Sequence, residues 1–511
     1  MRKITIFQLI FWPLTLLILT TSCGRERDNG GKMVFVYNEA AGISSLDPLN
    51  ARNQENIWAM DQLYSKLFRL NDTLGLEGDL AASWTFQDSG WSVMLKEGVL
   101  WHGSEREVEA DDVVFSLERL RNPANSSAGA WVLDQVEQGG IVARSKREVF
   151  LRTKRFHPAF LSLLSMTYTA VLPQHLLAEQ GEAFFDHPIG SGPFQYFDWR
   201  RNTALLFHKN PHYFERDEQG VSLPYLDAVV VRFVRDNMAV MREMQKGEMH
   251  LISGLSSDLY NWAKKDSNLR LMVSPYLKTD YIGFNLESEK AILRNPDFRK
   301  ALNLGLDKSK MVAFLKGGIG EVANYNPVPS SLYAGTEQHQ YNLEKARALL
   351  EGIPKADRDE EIELATTAGY TQLCEWIQGQ WQQLGVRVKV NVLPTSVHRK
   401  RVSEGDVDLF RKSWIADYPH AENFLMLFES SQKAPAGPNY TRFEDAQFDT
   451  EYGAFFDPDL PAKLPAMDSI LKANTPMIPL FYDQVTRCVA KDVKGMKVNA
   501  LNNLNLMRVK V

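Results

Sequence analysis

The chain is 511 residues long with a formal net charge of -5, 44% hydrophobic and 24% charged residues. That is the composition of a folded protein too long for one hydrophobic core, so two or three domains are expected. The mild acidity offers no basic patch for nucleic acid, and three cysteines in such a length exclude a disulfide framework.

Arg2 and Lys3 precede an apolar run, Ile4 to Leu19, interrupted by Thr5, Gln8, Pro13 and Thr15. The run is short for a membrane span and has the layout of a secretory signal. It ends in "LTTSCG", small residues before Cys23, which resembles the bacterial lipobox; Thr20 stands where that motif usually has leucine. Residues 1–22 are therefore expected to be a signal peptide and Cys23 the lipidated first residue of the mature chain, in preference to an ordinary cleavage site or a short anchor helix with Cys23 incidental. Residues 23–32, which continue "GRERDNGGK", are expected to form a polar tether. Loss of Arg2 and Lys3 would take the charge from -5 to -7. Two readings stand for Cys374 and Cys488, a pair formed in an oxidising compartment or two buried thiols, and buried thiols are expected. No second apolar run is long enough to span a membrane, so the mature protein is expected to be soluble, with the lipid as its membrane contact.

Further along, "SWTFQDSGWSVML" reads as two strands joined by the turn "DSG". A second turn and a helix follow, with Asp111 and Asp112 in its first turn, where carboxylates meet the positive end of the dipole. "PIGSGPF", Pro188 to Phe194, reads as a tight turn before the strand "FQYFDW", in preference to a nucleophile at Ser191. His208 and His212 are separated by Pro211, which argues against a helix presenting both to a metal. "VVVRFV", Val229 to Val234, reads as a buried strand, and "NMAVMREMQKGEM" as a helix stopped at Gly247. "YNLEKARALLEG" is another short amphipathic helix with a glycine stop. "EIELATT", "YTQLCEWIQGQWQQLG" and "VRVKVNVL" read strand, helix, strand, with Leu373, Ile377, Trp381 and Leu384 on one face and Gly385 as the stop. Such a unit implies a parallel pair with a right-handed crossover. The pattern is α/β throughout, with no internal repeat. No zinc motif, nucleophile elbow, Walker loop or dinucleotide fingerprint is present, so no catalytic residue, metal or cofactor is expected.

The segment "FRKSWIADYPHAENF", Phe410 to Phe424, puts Asp417 at the end of a strand-like run beside Tyr418. Desolvating an unpaired carboxylate is expensive, so Asp417 needs a partner, either a side chain of this protein or a solute.

An ordered set of blocks then stands out. Trp84 is followed by Leu95, Gly98, Val99, His102 and Gly103, then by Ala110, Asp112, Val113, Phe115 and "SLER", Ser116 to Arg119. "PIGSGPFQYFDW", "KNPHYF", "YIGFNLE", "RNPDFRKALNLGLDKSKM" and "IADYPHAENFL" follow in register. The string resembles the peptide/nickel-type solute-binding proteins of ABC importers from about Val34 to about Lys497; Lys96 and Trp101 replace the usual arginine and phenylalanine.

The resemblance implies a two-lobed periplasmic-binding-protein fold, α/β, with a hinge and an extra N-terminal subdomain. Lobe I would comprise 33–57, 187–275 and 483–511, the subdomain 58–186, and lobe II 276–482. The implied function is capture of a peptide-like solute and delivery to an ABC permease and ATPase, by a monomer lipid-anchored in the cell envelope, without catalysis. Relatives with this fold also bind metal chelates, haem or oligosaccharides, which stand as alternatives beside a periplasmic hydrolase and a tethered adaptor. In peptide-binding relatives the aspartate of "A-D-Y" pairs with the peptide's α-amino group, and Asp417 holds that place. Trp414 and Tyr418 would supply walls. Arg411 stands where some relatives carry an arginine near the peptide carboxylate, with Lys412 as another cation. Strand alternation would put Arg411 and Asp417 on one face and Trp414 on the other. The competing readings are an internal salt bridge for Asp417 and a solvated charge for Arg411. His420 replaces the acid frequent after the proline.

Overall fold

A computed structural model describes residues 31–457 and 459–511. The expected signal peptide, Cys23 and the tether as far as residue 30 lie outside the described residues. Ten strands carry the main sheet: β1 (Val34–Asn38), β2 (Phe194–Arg200), β3 (Ala204–Lys209), β4 (Ala228–Arg232), β5 (Leu251–Ser253), β6 (Leu269–Phe284), β7 (Ile362–Thr366), β8 (Val388–Val392), β9 (Leu409–Ile415) and β10 (Met477–Ala490). Their order is β8-β7-β9-β6-β10-β5-β1-β4-β3-β2, with Glu321–Val322 as a short extra strand on β10.

Each end of this sheet has its own core. At one end β1 and β4 pair in parallel, Phe35 opposite Val229 and Tyr37 opposite Val231. Those four side chains are fully buried, with Trp58, Phe194 and Phe207 around them. At the other end β7, the helix Thr371–Gln382 and β8 form the expected strand–helix–strand unit, with Ile362 opposite Val388 in a parallel register. Leu373, Ile377 and Trp381 turn one face of that helix inward, and the Trp381 indole N–H donates to the Leu302 carbonyl at 2.9 Å.

Two long antiparallel strands, β6 and β10, run through both ends. The first part of β6 lies beside β10 where β10 meets β5, and its last seven residues pair with β9. The β6–β10 register slips between Pro275 and Thr279 and again between Asp280 and Tyr281. Pro275 and Pro479 have no N–H to give to the ladder, so the pairing bulges where they fall.

A separate four-stranded antiparallel sheet carries the "SWTFQDSGWSVML" hairpin, Ala81–Gln87 and Gly90–Leu95. Its turn residues Asp88 and Ser89 both have positive φ, which suits the right-handed twist of a tight hairpin. The helix Ala110–Arg121 covers this sheet. Glu109 and Asp112 cap its start reciprocally, and Asp112 also accepts from the Gln174 N–H at 3.0 Å. The glycines of "PIGSGPF" serve close approach: a Cβ on Gly190 would strike the Leu63 carbonyl oxygen, and one on Gly192 would lie 2.6 Å from it. Cys374 and Cys488 are buried free thiols in different cores. Among the described residues no helix is long and apolar enough to cross a membrane.

Candidate functional site

The strand β9 stops at Ile415, and the Ala416 N–H then donates to the Leu277 carbonyl at 2.8 Å. Asp417 therefore stands just past the strand end, where strand alternation no longer decides its direction. Its loop is held by one buried amide: Asn423 Oδ1 accepts from the Asp417 backbone N–H at 3.2 Å and from the Trp414 indole N–H at 3.0 Å. The Asp417 side chain is half-buried. Burial pushes its carboxyl up to about 6, opposed by a hydrogen bond with the Asn423 side chain. No cation of the described residues acts on it, so the internal salt bridge has no partner there.

Asp417 lines a cavity of about 480 Å³. Ile415 and Tyr276 flank it, and Arg52, Asp61, Lys66 and Arg69 contribute to the rest of the wall. Most of these charges are committed to one another. Lys66 pairs with Asp61 at 2.7 Å, and Asp61 also accepts from the Thr167 hydroxyl at 2.8 Å. Arg69 pairs with Glu215 at 2.6 Å and lies 3.8 Å from Asp79. Tyr168, also on the wall, has its hydroxyl pKa raised by burial; Arg52 opposes that shift and Asp417 adds to it. Asp417 is thus a carboxylate without a cation, in a cavity rich in hydroxyl and amide groups, and chemically an acceptor for an incoming cation.

The other residues singled out in the sequence lie elsewhere. Arg411 is not the solvated charge that stood as its competing reading. It is buried, ion-paired with Asp280, and its guanidinium sits 3.0 Å from the centre of the Tyr370 ring. The register explains this: Asp280 is opposite Ser413, so Arg411 is its diagonal cross-strand neighbour. Lys412, on the other face, lies over the Tyr440 ring at 4.1 Å. Trp414 packs beside the core of Phe410, Phe424 and Phe428. Tyr418 is buried, and its hydroxyl donates to Glu422. Trp414 and Tyr418 therefore hold the loop that carries Asp417 without lining the cavity. Arg52, Lys66, Arg69 and Tyr168 carried no signal in the sequence, because each becomes a wall residue only through packing against segments hundreds of residues away.

The profile of the bacterial extracellular solute-binding proteins, family 5 middle region, matches residues 75–436. The glutathione-binding protein GsiB of Salmonella typhimurium is 26% identical over 471 residues, 89% of this chain and 90% of the relative. The oligopeptide-binding protein AppA of Bacillus subtilis is 27% identical over 461 residues, 84% and 81% of the two chains. Among solved structures, HbpA2 from Haemophilus parasuis superposes with a TM-score of 0.84 at 24% identity, covering 94% of this chain and 99% of that one.

Proposed function

The chain belongs to family 5 of the bacterial extracellular solute-binding proteins, and on that premise we propose that it captures a peptide-like solute through its free ammonium group and passes it to the permease and ATPase of an ABC importer. The observation that carries this reading is the Asp417 carboxylate, half-buried on a cavity wall with no cation of its own. An ammonium is a compact cation with three donors, and a charge-assisted hydrogen bond to a carboxylate out of bulk water is among the stronger polar contacts. The glutathione- and oligopeptide-binding relatives support the peptide class. The reading includes lobes at 33–57, 187–275 and 483–511 on one side and 276–482 on the other, with 58–186 attached to the first. The bulged pair β6 and β10 is suited to hinge between them.

Native mass spectrometry of the purified protein, and calorimetry with free and N-acetylated short peptides, test the assignment. Retained, uncleaved peptide and a marked preference for the free amine are expected. Equal affinity for the acetylated series, or steady peptide cleavage that co-purifies with the chain, would overturn it.

The reading also has Cys23 acylated and the mature protein tethered by residues 23–32 as a monomer in the cell envelope. Its support is the apolar run ending at "TTSC". Cys23→Ser should move the chain from the membrane to the soluble fraction on fractionation. A variant that stays bound as firmly as wild type would show that something else anchors it.

A further inference from the structure

Beside the cavity, two parts of the chain meet in a small seam of their own. Tyr418, next to Asp417, packs its ring on Val132, Ala159 and Leu163. Those residues come from the part of the chain whose neighbours Leu133, Phe160 and Leu164 fill the core under the four-stranded sheet. The Tyr418 and Tyr452 hydroxyls both donate to the buried Glu422 carboxylate. His157 crosses from the opposite side and stands edge-on to Tyr418, ring centres 6.2 Å apart, and to Phe456 at 5.3 Å. Arg155 lies 3.8 Å from the centre of the Phe456 ring. His420 faces Phe455 at 5.4 Å.

The two imidazoles are bonded alike. His157 Nδ1 accepts the Ala159 N–H at 3.1 Å, and His420 Nδ1 accepts the Glu422 N–H at 3.2 Å. A ring nitrogen that accepts carries no proton, so each ring is in its neutral form with the proton on Nε2.

We infer that this seam is a pH-gated latch, which holds the cavity closed while His157 and His420 are neutral and lets it open when they are protonated. Protonating His157 Nδ1 removes its bond to Ala159 and places a cation beside Arg155 and His420. Among the described residues no carboxylate on this face acts on His157. Glu422 is taken by two tyrosine hydroxyls and is drawn on by Arg155, and Asp417 lies on the cavity wall with Asn423. Burial, with Arg155 and His420 adding to it, holds His157 down at about 4, and burial lowers His420 as well. A histidine with a depressed pKa favours the packed state above its ordinary value of 6.5 and loses that contribution as pH falls toward 4. For His157 alone, the closed form should lose at most about twentyfold in its closing equilibrium between pH 7 and about pH 5.

The inference rests on the capture reading for its meaning, which is release of solute on acidification, but its test uses no ligand and so fails separately. Small-angle scattering of the whole ligand-free chain at pH 7.5 and 5.0 reads the closure, with circular dichroism reporting that secondary structure persists. The largest dimension should grow on acidification and return at pH 7.5. His157→Asn/His420→Asn keeps an acceptor for both N–H groups and removes the titration, so it should abolish the growth; if the double variant does not fold, His157→Asn alone should shrink it. Unchanged dimensions in the wild type, or growth of the same size in the variants, would sink the latch.

Discussion

Asp417→Asn should weaken binding of a free-amine peptide by about tenfold to a hundredfold or more. The side chain keeps its shape and loses its charge. A hydrogen bond to a charged group contributes about 1.5–3 kcal/mol, and ~1.4 kcal/mol is a decade in affinity; leaving the ligand ammonium buried without a counter-charge adds to the loss. N-acetylated peptides should bind weakly to the wild type and lose little more in the variant. In the wild type the affinity for free-amine peptides should also fall as pH drops below about 6, where burial has placed the carboxyl's titration. The sign for stability is opposite. A carboxyl whose pKa is raised from 3.8 to about 6 contributes stability below 3.8 and loses it as pH rises through 6. At pH 7 the ligand-free variant should therefore melt no lower than wild type. Calorimetry against both peptide series and a thermal melt decide the matter. An Asp417→Asn protein that unfolds, or that keeps its affinity for a confirmed peptide, would take Asp417 out of the site.

The largest stability effect belongs to the buried pair behind it. Asp280→Asn should destabilise the protein by about 3–5 kcal/mol, because it removes the carboxylate paired with the buried Arg411 guanidinium and leaves Asp483 as the carboxylate still acting on it. Asp280 is also 3.3 Å from Lys278, which in turn pairs with Asp483 at 2.7 Å, so the variant weakens a chain of charges along the two long strands. Replacing both partners at once, Asp280→Leu with Arg411→Met, should cost much less, since no charge is then left uncompensated. Denaturant titration of the single and double variants measures this coupling. If Arg411 served a ligand, Arg411→Met would cost affinity and little stability; the pairing requires the reverse.

These two carboxylates show where the sequence is informative. The helix Thr371–Gln382, its flanking parallel strands and the hairpin at Asp88–Ser89 were legible because local periodicity and turn chemistry determine them. Asp417 was legible through its motif. The fate of Arg411 was not, because its partner lies 131 residues upstream and reaches it only through the β6–β9 register. The strands β6 and β10 escaped for a different reason: Pro275 and Pro479 interrupt any alternation, so a bulged crossing resembles a loop until its partner is known. The residues opposite Asp417 sit on segments with no common pattern, and only the folded chain brings Arg52, Lys66 and Tyr168 to one wall.

The course of β10 also sets the order in which this protein can be assembled on a ribosome. The first core to be translated, around Phe35 and Trp58, is completed by Leu504, Leu506 and Val509, and the Trp58 indole N–H donates to the Asn502 carbonyl across 444 residues. Arg487, fully buried on β10, binds the carbonyls of Lys497, Asn502 and Asn503, which ties the last strand to the same core. Until β10 has been made, β5 and β6 lack the strand that lies between them, and the two ends of the sheet cannot be joined. Contacts of such separation form slowly, because loop closure must precede any gain. A nascent chain of this design cannot commit to its native state until β10 and the segment that follows it have been made.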